Sequence, residues 1–305
     1  MARIIQNKGL YLTLVSQLDK LARHNRQGSY RTKERYYEAF KRFCTFLADE
    51  FHLQKLENIS GKHLTSYALW MQESGKSAST IKTDLAAIRF FHDKMSRPKY
   101  QLPTNDELAV ELERRCFGGV DRTWSSVEFN KMLGKALAED RYDFILVLYL
   151  GRYAGLRIHE CFRIDTAIAE QALRENAITV KGKGGKLRTV PINEQIAVGL
   201  RIQLARTERG HKLLVTDHMP TDQAIRQLQR FIIKQRADIQ ETTDPPLTFH
   251  GLRHTYAAET YQRLIDTGTS SLDAHLTVSR LLGHERPDVT DIYLASLPKE
   301  GHHGK

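Results

Sequence analysis

His250, Arg253, His284 and Tyr293 stand in three short stretches of residues 248–293, Thr248-Phe-His250-Gly-Leu-Arg253-His254-Thr, Leu281-Leu-Gly-His284 and Asp291-Ile-Tyr293-Leu. His250 and Arg253 are three apart, so on a helix they share a face. Tyr293 follows His284 by nine positions. Upstream, Ala154-Gly-Leu-Arg157-Ile-His-Glu160 sets a second arginine just past a helix-ending glycine, and Lys181-Gly-Lys183-Gly-Gly-Lys186 reads as a basic hairpin tip. These are the residue types needed to cleave a phosphodiester without a metal. The phosphate is anionic and gains charge in its pentacoordinate transition state. Guanidinium groups bond two of its oxygens at once and keep their charge. A tyrosine phenol can attack in line, while histidine and lysine move protons to and from the bridging oxygens.

Each piece alone also has a plainer reading. Arg157 could be a charge favoured by a helix C-terminus. Lys181, Lys183 and Lys186 could form a solvated turn, and His250 and His284 could be core or capping residues. Tyr293 is one of twelve tyrosines; Tyr256 and Tyr261 suit ordinary helix packing better. His254, four after His250, is the sole His or Cys partner at helical ligand spacing, so no metal site is expected. Chemistry is therefore signalled by the whole set and its order.

The elements that must hold this set divide into two domains. A chain of 305 residues can bury two cores. Its net charge of +10 favours a polyanionic partner, nucleic acid first. Residues 1–119 carry 20 Lys+Arg against 13 Asp+Glu, and the remainder 26 against 23, so the excess is concentrated in the first part. Three widely spaced cysteines without a CxxC suit a reducing compartment. The longest strongly apolar run, Phe144–Leu150, is too short to span a bilayer. A cytoplasmic, nucleoid-associated protein with no membrane segment is expected.

Leu10, Leu14, Leu18 and Leu21 predict one helix over 8–24, and Tyr37, Phe40, Cys44 and Leu47 a second from Tyr30. The second carries Arg31, Lys33, Arg35, Lys41 and Arg42, either a solvated face or a phosphate-contacting one. A third helix runs from Ser60 to Gln72, stopped by Gly75. A fourth opens at Lys76–Ile81, burying Ile81, Leu85, Ile88 and Met95 and leaving Lys82, Arg89 and Lys94 to face outward. Residues 1–97 thus read as an all-helical binding domain. Residues 98–123, with two prolines, a short charged helix over 105–117 and Gly118-Gly119, read as a linker. From residue 124 to 305 a second domain is expected, mixed α/β but mainly α. It has helices over 127–137, 140–154, 193–208 and 221–240, and a small antiparallel sheet of 177–180 and 187–192.

In this order and spacing the motifs resemble those of the tyrosine recombinase (phage integrase) family: a Gly-Leu-Arg-x-x-Glu box, a Gly-Lys-Gly-x-Lys hairpin, His-x-x-Arg, Leu-Gly-His and a tyrosine nine residues later. They cover about 154–293, and the helical first domain resembles the family's core-binding domain. The resemblance implies that Arg157 and Arg253 clamp the scissile phosphate. Lys183, with Lys186 as the alternative, would protonate the leaving 5′ oxygen. His250 would assist proton transfer, His284 would hydrogen-bond the phosphate and Glu160 would orient its neighbours. Tyr293 would form a 3′-phosphotyrosine link. Arg31, Lys33, Arg35, Lys41, Arg42, Lys82, Arg89, Lys181 and Lys186 would contact DNA. The implied function is site-specific recombination of double-stranded DNA bearing inverted half-sites, by a homotetramer on paired sites and a monomer in solution, with no cofactor. Integration or excision of a prophage or conjugative element is expected over chromosome dimer resolution. The rival readings are a type IB topoisomerase-like enzyme and a non-catalytic DNA-binding protein. Only 12 residues follow Tyr293, too short and broken for the docking helix with which many members end. No arm-binding domain is expected before residue 1.

Overall fold

The computed structural model describes residues 5–23, 30–113, 120–182, 185–216, 218–242, 245–284 and 287–297. The chain falls into two units, Met1–Arg115 and Cys116–Lys305.

In the first unit the leucine stripe forms the inner face of α1 (Lys8–Arg23), and the aromatic stripe that of α2 (Tyr30–Phe51). A 3-10 turn at Leu56–Asn58 leads into α3 (Gly61–Glu73), and α4 (Ala78–His92) follows. Ser77 caps α4 by accepting from the Thr80 amide at 3.3 Å, and at the start of α3 the Ser60 amide and hydroxyl both meet His63 Nδ1 at 3.0 Å. The core is strongly aromatic, with Phe40 edge-on to Phe91 at 5.5 Å and Phe43 to Tyr67 at 4.9 Å. Asp84 is buried within it and accepts from Arg42 and from the Tyr67 hydroxyl at 3.0 Å.

The sequence reading needs three corrections here. Met95 is buried, but beyond the end of α4 at His92. No helix occupies residues 105–113, where the backbone runs through turns and bends. That stretch is also not a free tether: Leu108 is buried in the first core, with Leu102, Val110 and Leu112 packed against it. The apolar spacing at 108, 110 and 112 is two, which suits an extended strap and not a helix. Its carbonyls are bound from below, Glu111 by Gln72 at 2.8 Å and Glu113 by Lys82 at 2.7 Å. The remainder of the expected helix, 114–117, lies outside the described residues.

The second unit begins with α5 (Ser126–Ala138), held by a Ser125–Glu128 capping box, and the largely buried α6 (Tyr142–Ala154). Two helices absent from the sequence reading follow, the one-turn α7 (Ile158–Cys161) and α8 (Thr166–Glu175). Strands β1 (Ala177–Lys181) and β2 (Leu187–Pro191) pair antiparallel, with Ile178 opposite Val190 and Val180 opposite Arg188. Then come α9 (Glu194–Leu204), α10 (Thr221–Ile239), α11 (Phe249–Asp266), α12 (Ser271–Leu282) and a 3-10 segment, Pro287–Ile292. Helix α11 packs on α6, and its first turn is seated under Trp124. The Trp124 indole donates to Thr248 O at 3.0 Å, and its amide to the Thr255 hydroxyl at 2.8 Å. The fit there requires Gly251, because a Cβ would lie 2.4 Å from Arg122 O. Among the described residues no helix is long and apolar enough to cross a membrane.

Candidate active site

Gly155 closes α6 in the left-handed region, φ 59°, and a Cβ there would lie 2.4 Å from the Tyr256 ring. This turn delivers Arg157 to the N-cap of α7. It also presents the Gly155 carbonyl to Arg253, one turn into α11 and fully buried. The Arg253 guanidinium donates to Gly155 O and to Leu282 O, and lies 3.4 Å from His284 Nε2. Its Nε has no partner among the described residues. Burial and the nearby charge of Arg157 lower its pKa to about 10, which leaves it charged at neutral pH.

Arg157 and Glu160 form a second, linked group. The Glu160 carboxylate accepts from the Arg157 amide at 2.7 Å and from its guanidinium at 3.1 Å. Arg157 remains a quarter exposed, so its outer edge faces solvent. The same carboxylate takes a bidentate pair of bonds from Arg188, both at 2.7 Å. Burial works against ionisation of Glu160, but the hydrogen bonds and charges of Arg188 and Arg157 prevail and hold its pKa at about 2. Arg188 also donates through Nε to Leu281 O at 3.0 Å. It was missed in the sequence, although the signal was present. The alternation of Val190 and Ile192 extends back to 188, so this arginine occupies a core-facing strand position.

Tyr293 follows the 3-10 segment, with its amide donating to Thr290 O at 2.8 Å, and is only 7 % exposed. Three imidazoles surround its ring, with centroids at 5.4 Å for His250, 4.5 Å for His254 and 5.0 Å for His284. The Arg253 guanidinium lies 5.5 Å from the same ring. Gly283, at φ 65°, turns the chain out of α12 and aims His284 inward, where its Nδ1 pairs with the buried Thr290 hydroxyl at 2.9 Å. Burial, then neighbouring Arg253 and Arg157, lower His284 to a pKa of about 3. His254 is buried and falls to about 3 through burial and the neighbouring His250 and Arg122. His250 has an exposed edge, yet the protein packed around it and the charges of Arg253 and Arg157 take it to about 4. All three rings are therefore neutral at physiological pH. His254 and Thr290 are further residues that the motif spacing did not single out.

The structure thus gathers Arg157, Glu160, His250, Arg253, His284 and Tyr293 at one place. Lys183 lies outside the described residues; Lys181 and Lys186 flank it on the hairpin and are exposed. Residues 128–300 match the family model described as the phage integrase family, and residues 17–98 match its N-terminal SAM-like domain. The chain belongs to the phage integrase family of tyrosine recombinases. It is similar to tyrosine recombinase XerD of Staphylococcus saprophyticus, 27% identical over 93% of this chain and 91% of that protein. XerD of Halalkalibacterium halodurans is 26% identical, with 87% of each chain covered. Among solved structures, a lambda integrase dimer bound to a core site matches with a TM-score of 0.63 and 15% identity, covering 95% of this chain and 79% of that one. The XerH recombinase bound to difH substrate matches at 0.61 and 18%, over 92% and 80%. These two structures share the recombinase's fold.

The basic residues of the recombinase's first unit are not equivalent. Arg31 and Arg35 are exposed, Arg35 reaching the Thr83 hydroxyl at 3.3 Å, while Lys33 is half-buried. Lys41 lies 3.8 Å from Glu38. Three others differ from the expectation of free outward cations. Arg42 is paired with buried Asp84 at 2.8 Å. Lys82 holds Glu113 O, and Arg89 binds Pro103 O at 2.7 Å and Asn105 at 2.8 Å. Burial lowers the Arg89 pKa, though Asp93 and Glu107 oppose the shift. Arg89 and Lys82 hold the 102–113 strap in place, a role that sequence spacing could not distinguish from DNA contact.

Proposed function

We propose that this recombinase cleaves each DNA strand with Tyr293 and integrates or excises a mobile element. The observation that carries the reading is the enclosure of the Tyr293 ring by Arg253 and three neutral imidazoles. Arg157 stands at the solvent edge and Arg253 beneath it, so the scissile phosphate would bind over two guanidiniums that offset the charge gained in the transition state. The Tyr293 hydroxyl attacks phosphorus and its proton passes to a neutral imidazole, His250 first because its edge is open. The bond to the 5′ oxygen breaks, and Lys183 from the hairpin supplies the proton that makes it a free hydroxyl. The phosphodiester bond energy is held in the 3′-phosphotyrosine link, and the 5′ hydroxyl of a partner strand reverses the steps. No cofactor is needed. His284, fixed by Thr290, donates to a phosphate oxygen.

The first unit, with Arg31, Lys33, Arg35 and Lys41, binds the half-site duplex in the cytoplasm, on nucleoid DNA. One nucleophile per protomer and four strands per exchange make the active form a homotetramer on two sites with inverted half-sites. Resolution of a synthetic Holliday junction tests this, using DNA selected from a random library by the Tyr293→Phe protein. Exchange of arms supports the reading. Relaxation of supercoils without resolution would assign the same cleavage to a topoisomerase.

A further inference from the structure

Arg188 touches three parts of the site. Its head takes both Glu160 oxygens at 2.7 Å. Its Nε binds Leu281 O at 3.0 Å. Its stem lies so close to the turn after α12 that a Cβ on Gly283 would be 3.0 Å from Arg188 Cδ. Leu281 and Leu282 carry terminal carbonyls of α12, which have no partner within a helix. Arg188 takes the first and Arg253 the second, so two arginines fix the end of α12 directly ahead of His284. Glu160, meanwhile, shares its oxygens between Arg188 and Arg157. The Arg188 side chain is 8% exposed, which leaves little room for contact with DNA.

We propose that Arg188 is a positioning residue for strand cleavage: it orients Arg157 through Glu160 and sets the depth of His284 through the end of α12. The proposal rests on the phosphate-clamp reading above. Lysine cannot replace it, because one ammonium cannot span a bidentate carboxylate and a carbonyl in a different direction. A misplacement of about 1 Å at such a clamp costs about a hundredfold in rate.

The test compares cleavage of two nicked suicide substrates, one with the natural scissile phosphate and one with a methylphosphonate there. The methylphosphonate lacks the negative charge and so relies less on a correctly aimed guanidinium. Arg188→Met is expected to bind DNA within twofold of the unaltered protein and to cleave the natural substrate about a hundredfold more slowly. On the methylphosphonate that loss should shrink to tenfold or less, in parallel with Arg157→Ala. Equal losses on both substrates, or cleavage within threefold on the natural one, would overturn the proposal. Should Arg188→Met not fold, Arg188→Lys decides by the same two comparisons. If the unaltered protein forms no covalent adduct, the reading of the site itself fails and this inference with it. An adduct with no Arg188 effect refutes the inference alone.

Discussion

Glu160→Gln isolates the electrostatics that hold the site together. The carboxylate is buried, with its side chain at 0% exposure, and its two oxygens accept from Arg157 and Arg188. Glutamine keeps the shape but removes the charge and turns one acceptor into a donor facing a guanidinium. Two routes give the cost. The folded-state pKa of about 2 against an unfolded 4.5 corresponds to about 3 kcal/mol of stability at neutral pH. Breaking a buried ion pair from one side costs about 3–5 kcal/mol in general. With a urea slope of about 2–3 kcal/mol/M for a unit of this size, the midpoint should fall by about 1 M. Trp124 is buried in the second unit, so its fluorescence in a Trp70→Phe background reports that unit alone. The sign also fixes a pH dependence. Glu160 contributes fully above pH 4.5 and loses its contribution as pH falls through about 2, so the two proteins should converge in acid. A midpoint shift below about 0.3 M at pH 7 would refute the reasoning, because the carboxylate would then not be holding two guanidiniums in place.

Arg157→Lys should retain DNA binding and lose about 10²–10³ in single-turnover cleavage, since a point charge cannot replace the fork; a loss under tenfold would count against the clamp. Lys183→Ala should be slow on ordinary DNA and recover on a substrate with a 5′-thio leaving group, which needs no general acid. Absence of recovery would turn attention to Lys186 or a histidine. The second unit should also weaken between pH 7 and 5. His254 has a pKa of about 3 when folded, against an unfolded value near 6.5, so in this window only the unfolded chain takes the proton. Its share of the loss is about 2 kcal/mol by pH 5, and His254→Phe should flatten the urea midpoint's pH slope accordingly.

Much of this was legible because period and caps agree with the final packing. The leucine and aromatic stripes of α1 and α2, Ser60 before α3 and Gly155 after α6 all mark real elements and boundaries. The strap over 102–113 was misread because a charged stretch between prolines and glycines looks helical or free until its alternate apolar residues are seen to share one core. Arg89 and Lys82 were misread for a related reason: a basic side chain beside carbonyls from a distant loop has the same local sequence as one in solvent. In the site, the motif residues announced themselves by order. Arg188, His254 and Thr290 did not, because their importance comes from what the fold places beside them. The enclosure of Tyr293 likewise required the turn at Gly283 and the 3-10 segment, neither of which has a periodic signature.

The most direct measurement is peptide mapping of the covalent complex trapped on a nicked suicide substrate. A single phosphotyrosine linkage at Tyr293, joined to a 3′ phosphate and abolished by Tyr293→Phe with DNA binding intact, is the predicted result. An adduct that survives Tyr293→Phe, or that maps to another residue, would contradict the account.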